Sequence, residues 1–283
     1  MVFYSPLRYP GGKRKLVNYF KELVMENYLL DGVYVEPYAG GASVALSLLI
    51  DGYVSKVIIN DKDYSIYAFW YSILNNTEEF CNLIKKTPIT IRAWKKQKEI
   101  NENEIKDILK LGFSTFFLNR TNHSGILSAG PIGGFDQGGK WKINARYNKK
   151  DLIKRIRKIA EHKNKIEVHH YDAVDLIREL KGRLPQKTLF YFDPPYFVKG
   201  EELYLNHYTP EKHKQIAMEI FKIKGYKWVV TYDDVVQIRE IYEKYDPKAY
   251  PLRYSVGNHN LGKEIIMHSK NIQIPLVFSL TYH

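Results

Sequence analysis

Short apolar runs rich in β-branched and aromatic residues recur along the chain: Val33–Glu36, Val54–Asn60, Ile166–His170, Thr188–Asp193, Trp228–Tyr232 and Glu264–His268. Each has the length of a buried strand and is bounded by turn-forming residues. Between most of them the apolar positions take a helical spacing. This is so for Lys13–Tyr28 after Gly11-Gly12, for Ser43–Ile50 after Gly40-Gly41, for Ala173–Leu180 and for Asp234–Tyr245. Thr209-Pro210-Glu211 supplies an N-cap, a first-turn proline and a first-turn acid for a helix reaching about Ile223. Strands alternating with helices predict an α/β fold, a mostly parallel sheet with helices on both faces.

Residues 62–165 break the alternation. They read as helices over Ser65–Leu74, Thr77–Lys85, Asn103–Asn119 and Lys149–His162, around a glycine-rich loop, Gly125–Gly139. The expected organisation is therefore a sheet domain of residues 1–61 and 166–283 with a mainly helical insertion, 62–165. Charge sharpens this picture. The chain carries a net +12, and residues 140–165 hold eleven Lys and Arg against Asp151 and Glu161, a net +9 in that stretch. A solvated helix face is the ordinary reading of such a run. Clustering of this degree favours a surface that contacts phosphates.

Other counts narrow the classes. With 283 residues, 45% of them apolar, the chain has enough material for a core. Cys81 is the only cysteine, so neither an intrachain disulfide nor a cysteine cluster for zinc is available. A cytoplasmic or otherwise reducing compartment fits. Ser43–Ile50 is about the longest apolar run, far below the roughly 20 residues of a membrane span. The start, MVFYSPLRYPGGK, has no secretory apolar segment. Nine histidines, including His169-His170, show no metal-site spacing.

Three motifs carry chemistry. Val35-Glu36-Pro37-Tyr38-Ala39-Gly40-Gly41-Ala42-Ser43 lies between a strand and a helix. Its glycines let backbone approach a ligand, and the helix start offers free N–H groups. The spacing is not that of a dinucleotide fingerprint, and a carboxylate-bearing ligand fits as well. Asp61 ends the next strand, 21 residues after Gly40, where an acid can accept from ribose hydroxyls. A helix-capping role is the alternative, and Asp63 competes for either. Last, Phe190-Tyr191-Phe192 delivers Asp193-Pro194-Pro195-Tyr196 to the carboxyl end of the sheet. Prolines have no N–H, so the turn presents only acceptors, Asp193 and a neighbouring carbonyl, to an amino group. Two acceptors pull the hydrogens of a ring-bound amine out of plane and restore its nucleophilicity, while Tyr196 can lie on the ring. An ordinary Asx-Pro turn is the bland reading of the same residues.

Arg8-Tyr9-Pro10-Gly11-Gly12-Lys13, Glu36-Pro37-Tyr38-Ala39-Gly40-Gly41, Asn60-Asp61, Asn119-Arg120 and Asp193-Pro194-Pro195-Tyr196, in this order, resemble the Dam-like (D12 class) N6-adenine DNA methyltransferases. Glycine motif, inserted recognition region and then DPPY is similar to the α-class arrangement. The resemblance spans nearly the whole chain and implies a Rossmann-like methyltransferase sheet, S-adenosylmethionine as donor and adenine in double-stranded DNA as acceptor. By position, Tyr9 and Lys13 match family cofactor contacts, and Asp61 the ribose-binding acid. Asp172 matches the acid that reads the cofactor adenine, and Asp193 the catalytic acid that also borders the cofactor. Glu36, Pro37, Tyr38, Gly40 and Gly41 belong to the expected cofactor site. The run Asn119-Arg120-Thr121-Asn122-His123-Ser124-Gly125 departs from the aromatic-Asn-Gly stretch of members that read GATC.

The expected reaction takes an adenine extruded from the duplex, because N6 is inaccessible in the stack. Tyr196 stacks on the base, and Asp193 with the Pro194 carbonyl accepts from N6. The loop Lys199–His207, with Tyr204 and His207, could close over the base or be plain surface. Asn119, Arg120, Asn122 and His123 are expected to read base edges, whereas Lys140, Lys142 and Arg146 touch phosphates. On this reading Arg120→Ala alters which sites are methylated, and Lys142→Ala weakens binding evenly. A cognate restriction endonuclease is a candidate partner. Rival readings are a nicotinamide-dependent oxidoreductase, disfavoured by the missing G-x-G-x-x-G; a non-catalytic DNA-binding module, disfavoured by the intact DPPY; and methylation of RNA adenine in the same pocket.

Overall fold

A computed structural model describes residues 3–8, 13–103, 106–197, 208–252 and 262–275. Tyr9 and the expected closing loop Lys199–His207 lie outside these. The chain divides into two compact units, one of Met1–Gly12 and Asp63–Asn164, the other of Lys13–Lys62 and Lys165–His283.

The second unit is built on a seven-stranded sheet. Its strands are β1 (Gly32–Glu36), β2 (Val54–Asn60), β3 (Ile166–His169), β4 (Thr188–Phe192), β5 (Lys227–Asp233), β6 (Lys248–Leu252) and β7 (Gly262–His268), in the order β3-β2-β1-β4-β5-β7-β6. The first five run parallel, and β7 is antiparallel to both β5 and β6. The six sequence-predicted strands are all present. The unforeseen one is β6, KAYPL, whose lone proline and mixed polarity suit an edge. Every residue of β1 and β4 is buried, as expected of central strands covered on both faces.

Alternation along those strands sorts the two faces. Tyr34 of β1 and Tyr191 of β4 turn toward Phe20 on α1 (Val17–Glu26), with ring centroids 6.0 and 4.6 Å away. A short 3-10 turn, Lys13–Leu16, leads into α1, and α2 (Ser43–Ile50) packs beside it. Val33, Val35, Phe190 and Phe192 point the other way. They form one core with apolar residues of α8 (Ala173–Leu180), α9 (Pro210–Phe221) and α10 (Val236–Ile241). The predicted cap Thr209 works as such, accepting from Lys212 N at 3.3 Å, and Asp172, not foreseen as a cap, accepts from Val174 N at 3.0 Å.

The other unit is mainly helical: α3 (Tyr64–Asn75), α4 (Thr77–Lys86), α5 (Ile91–Glu102), α6 (Ile108–Thr121) and α7 (Lys149–Ala160). Its core is aromatic, with Phe69, Phe80, Phe113, Phe116 and Tyr147 within 6.4 Å ring to ring. Gly112 lets α6 approach α3 closely, since a Cβ there would lie 2.4 Å from the Ala68 carbonyl oxygen. Sequence reading began α6 too early and missed α5. Asp107 sets the start by accepting from Lys110 N, and Thr90 caps α5 by accepting from Ala93 N. The chain up to Gly12, expected in the sheet domain, groups with these helices instead. Arg8 N donates to Asn119 Oδ1 at 2.7 Å, and Arg155 donates to the Ser5 carbonyl at 3.1 Å.

Candidate active site

Strand β4 ends at Phe192, and the two prolines after Asp193 bring no N–H that could continue the ladder. Asp193 therefore leaves the sheet at its carboxyl end with 22% of its side chain exposed. Its Oδ1 lies 3.0 Å from Lys13 Nζ and accepts from Thr231 Oγ1 of β5 at 2.8 Å. Burial pushes the Asp193 carboxyl above the usual range, against the pull of Lys13, and the nearby Glu264 carboxylate adds to the rise. Phe197 N donates to Asp233 Oδ1 at 2.9 Å, fixing the chain just past the diproline.

Tyr196 differs from its expected role. It is only 5% exposed, and its hydroxyl donates to Glu264 Oε1 of β7 at 2.5 Å. Its ring is not an open stacking surface, because a buried carboxylate draws the hydroxyl inward. Glu264 is fully buried and also accepts from the Tyr250 hydroxyl of β6. Lys13 Nζ completes the cluster at 3.3 Å from both Glu264 Oε1 and the Tyr196 hydroxyl. Sequence reading missed Thr231, Asp233, Tyr250 and Glu264. They lie 38 to 71 positions beyond Asp193 on three other strands, and no local spacing connects them.

On the far side of the switch between β1 and β4, Glu36 ends β1. It is buried, its Oε2 has no hydrogen-bond partner, and burial followed by the Asp193 charge raises its pKa well above the carboxylate range. Asn60 braces the turn that follows, donating to the Pro37 carbonyl at 2.9 Å. Gly40 adopts φ +43°, and its N–H donates to Asp61 Oδ2 at 2.9 Å. Gly41 is buried beside it. Asp63, not Asp61, caps the next helix, through Ser65 N at 2.8 Å. Tyr38 shares a 3.0 Å hydrogen bond with the Tyr208 hydroxyl. Asp172 sits at the end of β3, where Lys62 and Lys212 each approach it to 3.2 Å. Burial works against its ionisation, but the Val174 N–H and these two lysines outweigh it and hold its pKa below the usual range.

Four acidic side chains thus stand at the carboxyl ends of four adjacent parallel strands. Such a rim suits a ligand that is cationic and rich in hydroxyl groups, and repels a pyrophosphate.

In the helical unit the expected base readers separate into two groups. Asn119 is 1% exposed and engaged with main chain on three sides: Arg8 N and Arg8 O at 2.7 Å, Gly125 O at 2.9 Å. Asn122 is fully buried, accepts from Trp94 Nε1 at 2.6 Å and donates to the Ile126 and Leu127 carbonyls. Arg120 donates to the Arg146 carbonyl at 2.7 Å, and burial together with Arg8 lowers its pKa to about 10. The assignment of these three to base edges is corrected: their polar atoms are engaged with the main chain of residues 6–8, 125–127 and 146 and with Trp94 Nε1. His123, Lys140, Lys142 and Arg146 are exposed, as are Phe135 and Trp141, which sequence reading did not single out. Arg146 lies over the Trp141 ring at 5.9 Å. Three cations of α7 are paired, Arg155 with Asp151, Arg157 with Glu78 and Lys158 with Glu161, whereas Lys150 and Lys154 are exposed.

Fold and rim together define an α/β protein with four acidic side chains at the carboxyl edge of its parallel strands. The chain belongs to the D12 class N6 adenine-specific DNA methyltransferases, whose pattern it matches over residues 9–254. It is similar to the Type II methyltransferase M.MjaIII of Methanocaldococcus jannaschii, with 21% identity over 264 residues, covering 88% of this chain and 82% of that protein. Among solved structures it is similar to a SAM-dependent methyltransferase from Agrobacterium tumefaciens (11% identity, 91% of this chain and 62% of that one, TM-score 0.39). It is also similar to the rRNA methyltransferase AviRa from Streptomyces viridochromogenes (11% identity, 89% and 84%, TM-score 0.34). The protein is an adenine-specific DNA methyltransferase. Among the described residues no helix is long and apolar enough to cross a membrane, and no three His, Cys, Asp or Glu side chains group as a metal site.

Proposed function

We propose that the Asp193 corner is where N6 of an adenine in double-stranded DNA receives the methyl group, with S-adenosylmethionine as the donor. The observation that carries this reading is Asp193 itself, a carboxylate at the tip of a buried strand, partly exposed and held in place by Lys13 and Thr231. The residues at the rim fit the donor. Asp61 can accept from a ribose diol and Asp172 from an adenine amino group. Glu36 Oε2, buried without a partner, is an acceptor for a cationic group. When bound, that donor supplies an electrophilic methyl group on a positively charged sulfur.

The chain's own residues perform the rest. Asp193 and the Pro194 carbonyl accept the two N6 hydrogens and turn the nitrogen lone pair outward. So oriented, the lone pair would face the methyl group that the donor supplies, and the N6 proton displaced by transfer would pass to water. Holding both reactants in this geometry replaces a bimolecular encounter. A base must leave the duplex to reach the corner, so flipping is part of the reading. Tyr196, its hydroxyl tethered to Glu264, has a fixed ring plane at the corner.

The sheet unit is read as the catalytic domain and the helical unit as the target-recognition domain. Lys140, Lys142 and Arg146 contact phosphates, and His123 remains of the four expected base readers. The Type II relative favours a setting beside a restriction endonuclease of the same specificity, in the cytoplasm with the DNA. Asp193→Ala tests the central assignment with purified protein, tritiated S-adenosylmethionine and adenine-containing duplex DNA. Loss of transfer by a factor of about 10³ or more is expected, given what one preorganised polar partner contributes to a transition state. Transfer near the wild-type rate refutes it.

A further inference from the structure

The catalytic corner is supported by a buried acid that the reaction as written does not use. Glu264 lies on β7, which runs antiparallel to β5 and pairs Glu264 with Asp233. It has no solvent exposure, yet a carboxylate is among the most costly groups to bury. Among the described residues, three donors converge on it. The Tyr196 hydroxyl and Lys13 Nζ reach Oε1 at 2.5 and 3.3 Å, and the Tyr250 hydroxyl reaches Oε2. Two of the three belong to the corner: Tyr196 is the last residue of DPPY, and Lys13 is the cation on Asp193. A carboxylate with only a packing role would be replaced at lower cost by an apolar side chain.

We propose that Glu264 is the positioning residue of this methyltransferase: it fixes the plane of Tyr196 through the tyrosine hydroxyl and shares Lys13 with Asp193, so that Asp193 faces the amino group with the charge and orientation transfer requires. This rests on the reading of Asp193 given above. The two anions compete for one cation. With Glu264 ionised, Lys13 is divided between them. With Glu264 made neutral, Lys13 loses that second anion and keeps its ion pair to Asp193. Other ionisable groups facing Asp193 are Glu36 and Tyr34 on β1, Tyr191 on β4, Tyr232 on β5 and Tyr250 on β6. The tyrosines there are buried and stay neutral. Among the described residues, Glu264 is thus the neighbour whose neutralisation also acts on the lysine.

The test is Glu264→Gln, which keeps the shape and removes the charge, beside Tyr196→Phe, the double variant and Asp193→Ala. Transfer from tritiated S-adenosylmethionine to duplex DNA is measured across pH with both substrates saturating, and thermal unfolding is followed in parallel. Displacement of a reacting group by a fraction of an ångström costs about 10²-fold in kcat, and that is the loss expected for Glu264→Gln. Both KM values should stay within about threefold of wild type, because the ground-state contacts are untouched. The acidic limb of the kcat profile should move to lower pH, since Asp193 loses a neighbouring anion that also draws on Lys13. The double variant should be no slower than the slower single one.

A kcat within about twofold of wild type overturns the inference. So does a fall in kcat with an unmoved acidic limb and multiplying losses, the mark of a merely structural acid. If Glu264→Gln does not fold, Tyr196→Phe decides: a kcat loss at unchanged KM supports the tether, and an unchanged kcat overturns it. Transfer surviving in Asp193→Ala overturns both this inference and the function it rests on. An inactive Asp193→Ala beside an unaffected Glu264→Gln overturns this inference alone.

Discussion

Asn119→Ala separates a base-reading side chain from a structural one. The amide makes three hydrogen bonds to main-chain atoms, accepting from Arg8 N and donating to Arg8 O and Gly125 O. The two to Arg8 join segments 111 residues apart, and Asn119 is 1% exposed. Truncation to alanine leaves one N–H and two carbonyls without these partners. At about 1 kcal/mol net per bond, and more for any group that water cannot reach, the loss is about 3 kcal/mol. For a chain of this size that is a fall in unfolding midpoint of roughly 6–12 °C. Thermal and urea unfolding measure it directly. Methylation of a mixed-sequence DNA, read out by site, should show the same set of methylated sites at temperatures where the variant is folded. An unchanged midpoint together with a changed set of sites refutes the reasoning and returns Asn119 to the base edges.

Two further outcomes follow from burial. His213 and His268 are buried, and desolvation lowers each pKa from 6.5 to about 4. A base with a depressed folded-state pKa binds its proton more readily when unfolded. Stability is therefore full above pH 6.5 and is lost as pH falls toward 4, with about 2 kcal/mol lost per histidine at pH 5. The unfolding midpoint should drop between pH 7 and 5, and His213→Gln should remove about half of that drop; an identical drop in the variant contradicts the assignment. Gly112→Ala places a methyl group 2.4 Å from the Ala68 carbonyl, between α3 and α6. The helices must separate, at about 1–3 kcal/mol, measurable as a lower urea midpoint.

The chemistry was legible where it is local. Strand, acid, diproline and aromatic are consecutive at 190–196, and the glycine turn and its acid lie 21 residues apart on neighbouring strands. Periodicity marked the parallel strands because central strands are apolar throughout, as in β1 and β4. Less local features escaped. β6 is an edge strand with a proline, and α5, IRAWKKQKEINE, hides its short apolar face among six charged residues. The support beneath the corner was invisible, since Glu264 and Tyr250 reach Tyr196 only through the antiparallel return of β7. Asn119 and Asn122 misled for a physical reason. Asn suits an adenine edge and a loop's backbone equally well, and only burial tells the two apart.

The central claim is that this corner transfers methyl to the exocyclic amine of adenine in DNA. Its most direct test is digestion of duplex DNA, labelled by the wild-type enzyme from tritiated S-adenosylmethionine, to single nucleosides. The account predicts that the label elutes as N6-methyl-2′-deoxyadenosine and vanishes when Asp193 is replaced by alanine. Label on cytosine, label appearing only with RNA as acceptor, or label that persists without the Asp193 carboxylate would contradict it.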